Sequence, residues 1–157
     1  MKIITDTREH PEAVKQILAE FDRQQVDVIR TKLWVGDYQR LDNPMLVIDR
    51  KHNLSEVCSN VIQGHKRFTA ELQRAKDAGI HVVILVEHSK NIKALEDVMH
   101  WVNPRLKVSP MAVSGERLYK ILVAIEKHYG CEFQFCEKKD TGKRIIEILG
   151  GENNAAV

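Results

Sequence analysis

Gly36-Asp37-Tyr38-Gln39-Arg40-Leu41-Asp42-Asn43-Pro44-Met45-Leu46-Val47-Ile48-Asp49-Arg50-Lys51 joins two extended runs, residues 31–40 and 45–51, through a short polar stretch. Asn43-Pro44 between two such runs reads as a hairpin connection. Opposed residues of an antiparallel hairpin have a constant position sum, so a turn centred near Asn43 sets Asp37 across from Asp49, with the backbones roughly 5 Å apart. Side chains alternate between the two faces of a strand, so Asp49 and Lys51 point the same way. Two carboxylates and an ammonium are thereby expected on one face.

Like charges opposed across a sheet are destabilising, and a cation offsets them. A hard divalent ion such as Mg²⁺ suits this donor set, because it takes oxygen ligands and is held by one or two carboxylates plus waters and substrate phosphates. Such an ion polarises a scissile phosphate and helps ionise water, while Lys51 orients that water or adds positive charge beside the phosphoryl oxygens. A plainer reading stays open, in which these are ordinary charges at the solvent ends of strands. The apolar approaches Val26-Asp27-Val28-Ile29 and Leu46-Val47-Ile48 have the pattern of interior strands, where terminal charges are less ordinary.

Working outward, the chain alternates strand and helix patterns. Residues 2–6 read as a strand, and a helix is expected from Pro11, with Val14, Ile17, Leu18 and Phe21 on one face. A strand over 26–32 and the hairpin follow, then helices over 54–62 and 66–78, the second ended by Gly79. Residues 81–87 form a continuous apolar run, the mark of a strand buried on both faces. Helices over 92–101, 115–129 and 141–149 and a strand over 132–136 complete the pattern, with 103–110 as the expected mobile connection. The alternation predicts an α/β fold, a mixed central sheet flanked by helices, in one domain over 1–150 with a polar tail over 151–157. Trp34 and Tyr38 fall on the hairpin face opposite the carboxylates and are read as core or interface rather than base-stacking residues.

The length, 157 residues, suits a single core. A net charge of +2 is too small to announce nucleic-acid binding, so any such surface must come from local clustering. Arg8, Lys51, Lys66 and Arg67 form one candidate cluster; Lys138, Lys139, Lys143 and Arg144 form another, or a solvated helix end. Three cysteines without a signal-peptide pattern read as free thiols, and His128, Cys131 and Cys136 lack a fourth ligand for zinc. Thr141-Gly142-Lys143 is not a P-loop, because Glu137 stands at the upstream glycine position and Arg144 follows the lysine. No nucleotide cofactor is expected. Without an apolar run of about twenty residues, no membrane association and a cytoplasmic location are expected.

Taken in order, Ile3-Ile4-Thr5-Asp6-Thr7-Arg8-Glu9, Gly36-Asp37-Tyr38, Val47-Ile48-Asp49-Arg50-Lys51 and Gln63-Gly64-His65-Lys66-Arg67-Phe68 with Glu71-Leu72 resemble the nuclease domain of the XPF family, within the PD-(D/E)xK superfamily. The resemblance implies a restriction-endonuclease-like fold and an endonuclease, dependent on Mg²⁺ (or Mn²⁺), that hydrolyses phosphodiester bonds in branched or flapped DNA. It implies Asp37, Asp49 and Lys51 as catalytic residues. Asp37 and Asp49 would hold metal; Asp6 is either a third ligand or a plain strand-end carboxylate. Arg50 and Glu9 would support the site, and Arg8, Lys66 and Arg67 would contact DNA, although Arg67 and Glu71, four apart on a helix, are also placed to pair with each other.

Two positions depart from the family pattern. Asp49 stands where the family has Glu, and Ser55 where it tends to carry an acid, with Glu56 one step on and about 100° around a helix. They keep two rival readings open: a non-cleaving DNA-binding or scaffolding module on the same fold, and a relative resembling Holliday-junction resolvases. The sequence contains no tandem helix-hairpin-helix module, so self-association as a homodimer or a partner protein is expected to assist DNA binding. The compact build suggests a phage or prophage role in DNA repair or recombination, in the host cytoplasm.

Overall fold

β5 (His81–Glu87) is the buried axis of the sheet, with Val82 to Val86 each at most 3% exposed. A strand covered on both faces requires such an unbroken apolar run. It lies between β4 (Asn43–Lys51) and β6 (Glu132–Cys136), parallel to both. β1 (Lys2–Thr5) pairs in parallel with β2 (Asp27–Arg30), and β3 (Tyr38–Arg40) is inserted antiparallel between β1 and β4. The order is β2-β1-β3-β4-β5-β6, a mixed six-stranded sheet in an α/β fold. This computed structural model describes residues 1–88 and 90–151, so all but the first residue of the expected 151–157 tail lies outside the described residues.

Each face of the sheet carries its own core. On one, α1 (Lys15–Arg23) and α5 (Thr141–Gly150) bring Ile17, Phe21, Ile145 and Leu149 onto Ile3, Tyr38, Ile48, Val83 and Leu85. On the other, α2 (Leu54–Ile62), α3 (His65–Asp77) and α4 (Gly115–Tyr129) bring Leu54, Val57, Phe68, Leu72 and Leu118 onto Val47, Ile84 and Val86. The alternation along β4 therefore decides where its terminal charges go. Val47 faces α2 and α3 and Ile48 faces α1 and α5; continuing the period of two, Asp49 and Lys51 face α2 and α3, and Arg50 faces α1.

The helices over 54–62 and 115–129 and the strands over 81–87 and 132–136 form with the expected bounds. Several other expectations are corrected. Residues 26–32 are not an interior strand: β2 is a sheet edge of four residues, with Val28 and Ile29 exposed. The chain turns at Leu41 and Asp42, since Arg40 pairs with Asn43 and Asn43-Pro44 opens β4. There the Asn43 side chain accepts from the Met45 N–H at 3.2 Å, and the proline occupies a strand start, where it displaces little of the ladder. Residues 31–37 are irregular before β3 begins. α1 starts at Lys15, because 11–14 form turns closed onto the His10 carbonyl. Residues 92–101 yield a 3₁₀ turn, Leu95–His100, and 103–110 contain another, Pro104–Lys107. Trp34 is exposed whereas Tyr38 is fully buried, so only the tyrosine joins the core.

Gly115 begins α4 where the backbone passes closest to the Leu95–His100 turn. A Cβ there would overlap the Trp101 carbonyl and lie 2.6 Å from that of Val98. Gly115→Ala is expected to cost about 2–3 kcal/mol of stability, read as a lowered urea midpoint with unchanged slope; an unchanged midpoint would contradict this packing.

Candidate active site

The hairpin positions the first carboxylate. β3 pairs with β4 through Tyr38–Ile48 and Gln39–Val47, and Asp37 immediately precedes the first of these pairs. Asp37 is laddered on both sides: its N–H donates to the Ile48 carbonyl at 2.7 Å, and its carbonyl accepts from the Asp6 N–H at 2.8 Å. Asp37 Oδ2 accepts from the Arg50 N–H at 2.9 Å, which fixes the carboxylate beside β4. The chain enters this ladder through Gly36, at φ +75°, in the left-handed region that side chains avoid. A Cβ there would sit 3.0 Å from the Ile48 carbonyl. The Gly36 N–H donates to Glu71 Oε1 and its carbonyl accepts from Arg8 Nη2, both at 3.1 Å. One residue thus joins α3, the segment after β1 and the hairpin.

On the α2/α3 face, Lys51 Nζ lies 3.3 Å from Asp49 Oδ2 and 5.4 Å from the centre of the Phe68 ring. An ammonium held between a carboxylate and an aromatic face is doubly stabilised. These groups line a polar cleft of about 430 Å³, whose walls also include Arg8, Glu9, Arg50, Glu56, Asn60, Arg67 and Glu71. Burial pushes the Asp37 carboxyl well above the usual range, and the negative charges of Asp49 and Glu9 push it further, against the opposing Arg50 N–H. Burial also raises Asp49, where Lys51 pulls the other way and Glu71 adds to the rise. Both carboxyls line the same cleft, and the charge of Asp49 is felt at Asp37.

Arg50 turns to the other face and is buried between two acids. Its Nε and Nη2 donate to Glu9 at 2.6 and 2.8 Å, and its Nη1 donates to Glu87 Oε1 at 3.0 Å. Arg50 and Glu9 are therefore partners of each other beneath the cleft. Asp6 is not brought to the carboxylate pair. It is fully buried, Oδ2 accepting from Arg8 Nε and N–H at 2.6 and 2.8 Å and Oδ1 from the Leu33 N–H at 2.6 Å. Burial alone would raise its pKa, but the Arg8 hydrogen bond and these backbone donors more than offset that and leave it lowered. Both oxygens are thus engaged, and Asp6 holds Arg8.

Arg67 lines the cleft, whereas Lys66, its exposed neighbour on α3, does not. Glu71 bonds to Gly36 instead of pairing with Arg67. Ser55 lies on the far side of α2, while Glu56 faces the cleft and accepts from the His52 N–H at 2.6 Å. Sequence reasoning missed Glu71 and Glu87 as members of the site. The signal for Glu71 was its place one turn beyond Arg67, between the core residues Phe68 and Leu72. For Glu87 it was a lone acid closing an apolar strand.

The residues fit a hard divalent ion. Two carboxylates converge on one cleft with the Lys51 ammonium beside Asp49, and their oxygens suit Mg²⁺ or Mn²⁺. Among the described residues, no three His, Cys, Asp or Glu side chains converge to cage an ion alone. Among the described residues, no helix is long and apolar enough to cross a membrane.

A family model described as "ERCC4 domain" matches residues 5–149. Among solved structures, the chain is similar to XPF from Aeropyrum pernix, with a TM-score of 0.68 and 21% identity, covering 95% of this chain and 63% of that one. A structure titled XPF from Aeropyrum pernix, complex with DNA, matches with a TM-score of 0.66 and 23% identity over the same shares. The fold is thus shared with these XPF structures, and the chain spans less than two thirds of their length. No curated protein sequence matches the chain.

Two predictions follow from the charge balance. Because the folded state raises the pKa of Asp37, the metal-free protein is favoured with Asp37 protonated, and that contribution is lost as pH rises through the folded value. Asp37→Asn keeps an acceptor for the Arg50 N–H and removes the charge. In chelator it is expected to be more stable than wild type by about 1 kcal/mol at pH 8, the difference fading towards pH 4. Urea unfolding at both pH values measures it, and a variant equally destabilised at both would refute the assignment. On the other face, Arg50→Met leaves Glu9 and Glu87 buried without their partner. A loss of about 3–5 kcal/mol is expected by the same method, against less than 1 kcal/mol if the network is immaterial.

Proposed function

The chain belongs to the ERCC4 domain family, and on that premise we propose that it is a metal-dependent, structure-specific endonuclease acting on branched or flapped DNA. The observation that carries this reading is the convergence of Asp37, Asp49 and Lys51 on one face of the hairpin, in a cleft walled by Arg8 and Arg67. Asp37 and Asp49 would hold Mg²⁺ or Mn²⁺. When bound, the ion supplies Lewis acidity to the scissile phosphate and acidity to an attacking water. Lys51 donates to a phosphoryl oxygen and stabilises the charge that grows there. Water oxygen bonds to phosphorus, one P–O ester bond breaks, and the leaving oxygen takes up a proton.

The remaining residues position or bind. Asp6 clamps Arg8, which points its guanidinium along the Gly36 carbonyl at the cleft wall; Arg8, Arg67 and the exposed Lys66 take backbone phosphates, in keeping with a neighbour of the same fold titled as a complex with DNA. Glu71 holds Gly36 and so the entry of Asp37 into the sheet. Glu56, facing the cleft, favours an intact site over the scaffold reading despite Ser55. Self-association or a partner protein would add DNA affinity. DNA repair or recombination in the cytoplasm, or in the host cytoplasm for a phage protein, is the setting proposed.

The test is cleavage of labelled flap, fork, four-way junction and duplex DNA with Mg²⁺ or Mn²⁺. Branched substrates are expected to be cut, with losses of at least about 100-fold for Asp37→Asn and for Lys51→Ala. Wild-type binding without cleavage under either metal would overturn the enzyme and leave the scaffold.

A further inference from the structure

Between Asp97 and Glu116 the chain has no acidic residue. This segment carries the most exposed large apolar side chains of the described residues: Val102 at 75%, Val108 at 84% and Met111 at 87%. Arg105 and Lys107 are exposed among them, and neither side chain takes part in an ion pair or hydrogen bond among the described residues. The display is built on a fixed frame. Val98, Trp101 and Val113 are buried, and the buried Asn103 amide donates to the Val113 carbonyl at 2.8 Å while its oxygen accepts from the Arg105 N–H at 3.0 Å.

The segment faces α2 across a groove of about 180 Å³ lined by Ser55, Cys58, Ile62, Asn103, Met111 and Val113. The opposite side of α2 supplies Glu56 and Asn60 to the catalytic cleft. Groove and cleft are therefore one helix apart, about 10 Å, a step of roughly three nucleotides at 3.4 Å rise.

Exposed apolar side chains interleaved with unpaired cations, and no acid, are complementary to a polymer that presents apolar faces and a regular anionic backbone. A duplex keeps its base faces stacked inside and opens them to Val108 or Met111 only at the cost of unstacking a step. An unpaired strand offers both surfaces, and methionine and aliphatic side chains are among those that insert against bases. We propose that residues 98–115 receive an unpaired DNA strand leaving the cleft across α2, with Val108 and Met111 against bases and Arg105 and Lys107 against phosphates. For its ligand this rests on the nuclease reading.

The experiment compares a flapped DNA carrying a single-stranded arm with a plain duplex of equal length, with Ca²⁺ in place of Mg²⁺. Wild type, Val108→Ser/Met111→Gln and Arg105→Gln/Lys107→Gln are titrated at several salt concentrations. All four side chains are exposed, so the fold is left intact. The apolar pair is expected to weaken flap binding about 10-fold and duplex binding less than twofold. The charge pair is expected to reduce the salt slope on the flap by roughly 1.4. A photoreactive iodouracil in the arm is expected to crosslink within 98–115. Equal losses on both DNAs, no loss on either, or crosslinks elsewhere would overturn the proposal. So would an apolar variant that changes the sedimenting mass and not the flap affinity, since the surface would then join copies of the chain. Wild type that binds flaps but never cuts overturns the nuclease reading alone; wild type that cuts, with variants that bind as it does, overturns this inference alone.

Discussion

Two carboxylates brought to one cleft, with the Lys51 ammonium beside Asp49, are the constraint on which the rest of the structure depends. Asp37 is fixed by backbone bonds to β1, to β4 and through its own side chain to the Arg50 N–H. It cannot swing away from Asp49 without breaking the ladder. Burial raises both carboxyls, and at Asp37 the charges of Asp49 and Glu9 add to the rise.

Holding such a pair requires support on every side. Gly36 turns the chain into the ladder and is itself held by Glu71 and Arg8. Beneath, Arg50 anchors the end of β4 to Glu9 and Glu87, so that the next residue along the strand from Asp49 is fastened to the other layer of the molecule. The parallel pairing of β4 with β5 places Asp49 opposite Ile84, deep in the sheet. Rigid burial of the strand makes the charges at its end precise in position and costly in energy, and the same geometry brings them to the mouth of the cleft.

Much of this was legible because strand alternation is a strict rule. Asp49 and Lys51 had to share a face, and Arg50 had to take the other. The convergence of Asp37 and Asp49 on one cleft was also legible, though the turn lies elsewhere. The tight turn at Leu41 and Asp42 pairs Arg40 with Asn43, and the irregularity before Gln39 pairs with Val47 restores the position sum that a turn at Asn43 implies. Val28 and Ile29 misled because a β-rich apolar run reads alike at the centre and at the edge of a sheet. The hydrogen bonds of Asp6 to Arg8 and Leu33 were not legible, because a strand-end carboxylate does not announce whether its oxygens are already taken. Glu71 and Glu87 came from distant segments, and only the folded chain brings them to Gly36 and Arg50.

The most direct measurement is a crystal structure of the protein soaked in Mn²⁺, with data collected for the anomalous signal of the metal. The account predicts a peak within bonding distance of both Asp37 and Asp49 and none at Asp6, completed by waters in the cleft. A peak at other residues, or none between this pair when both carboxyls are ionised, would contradict it.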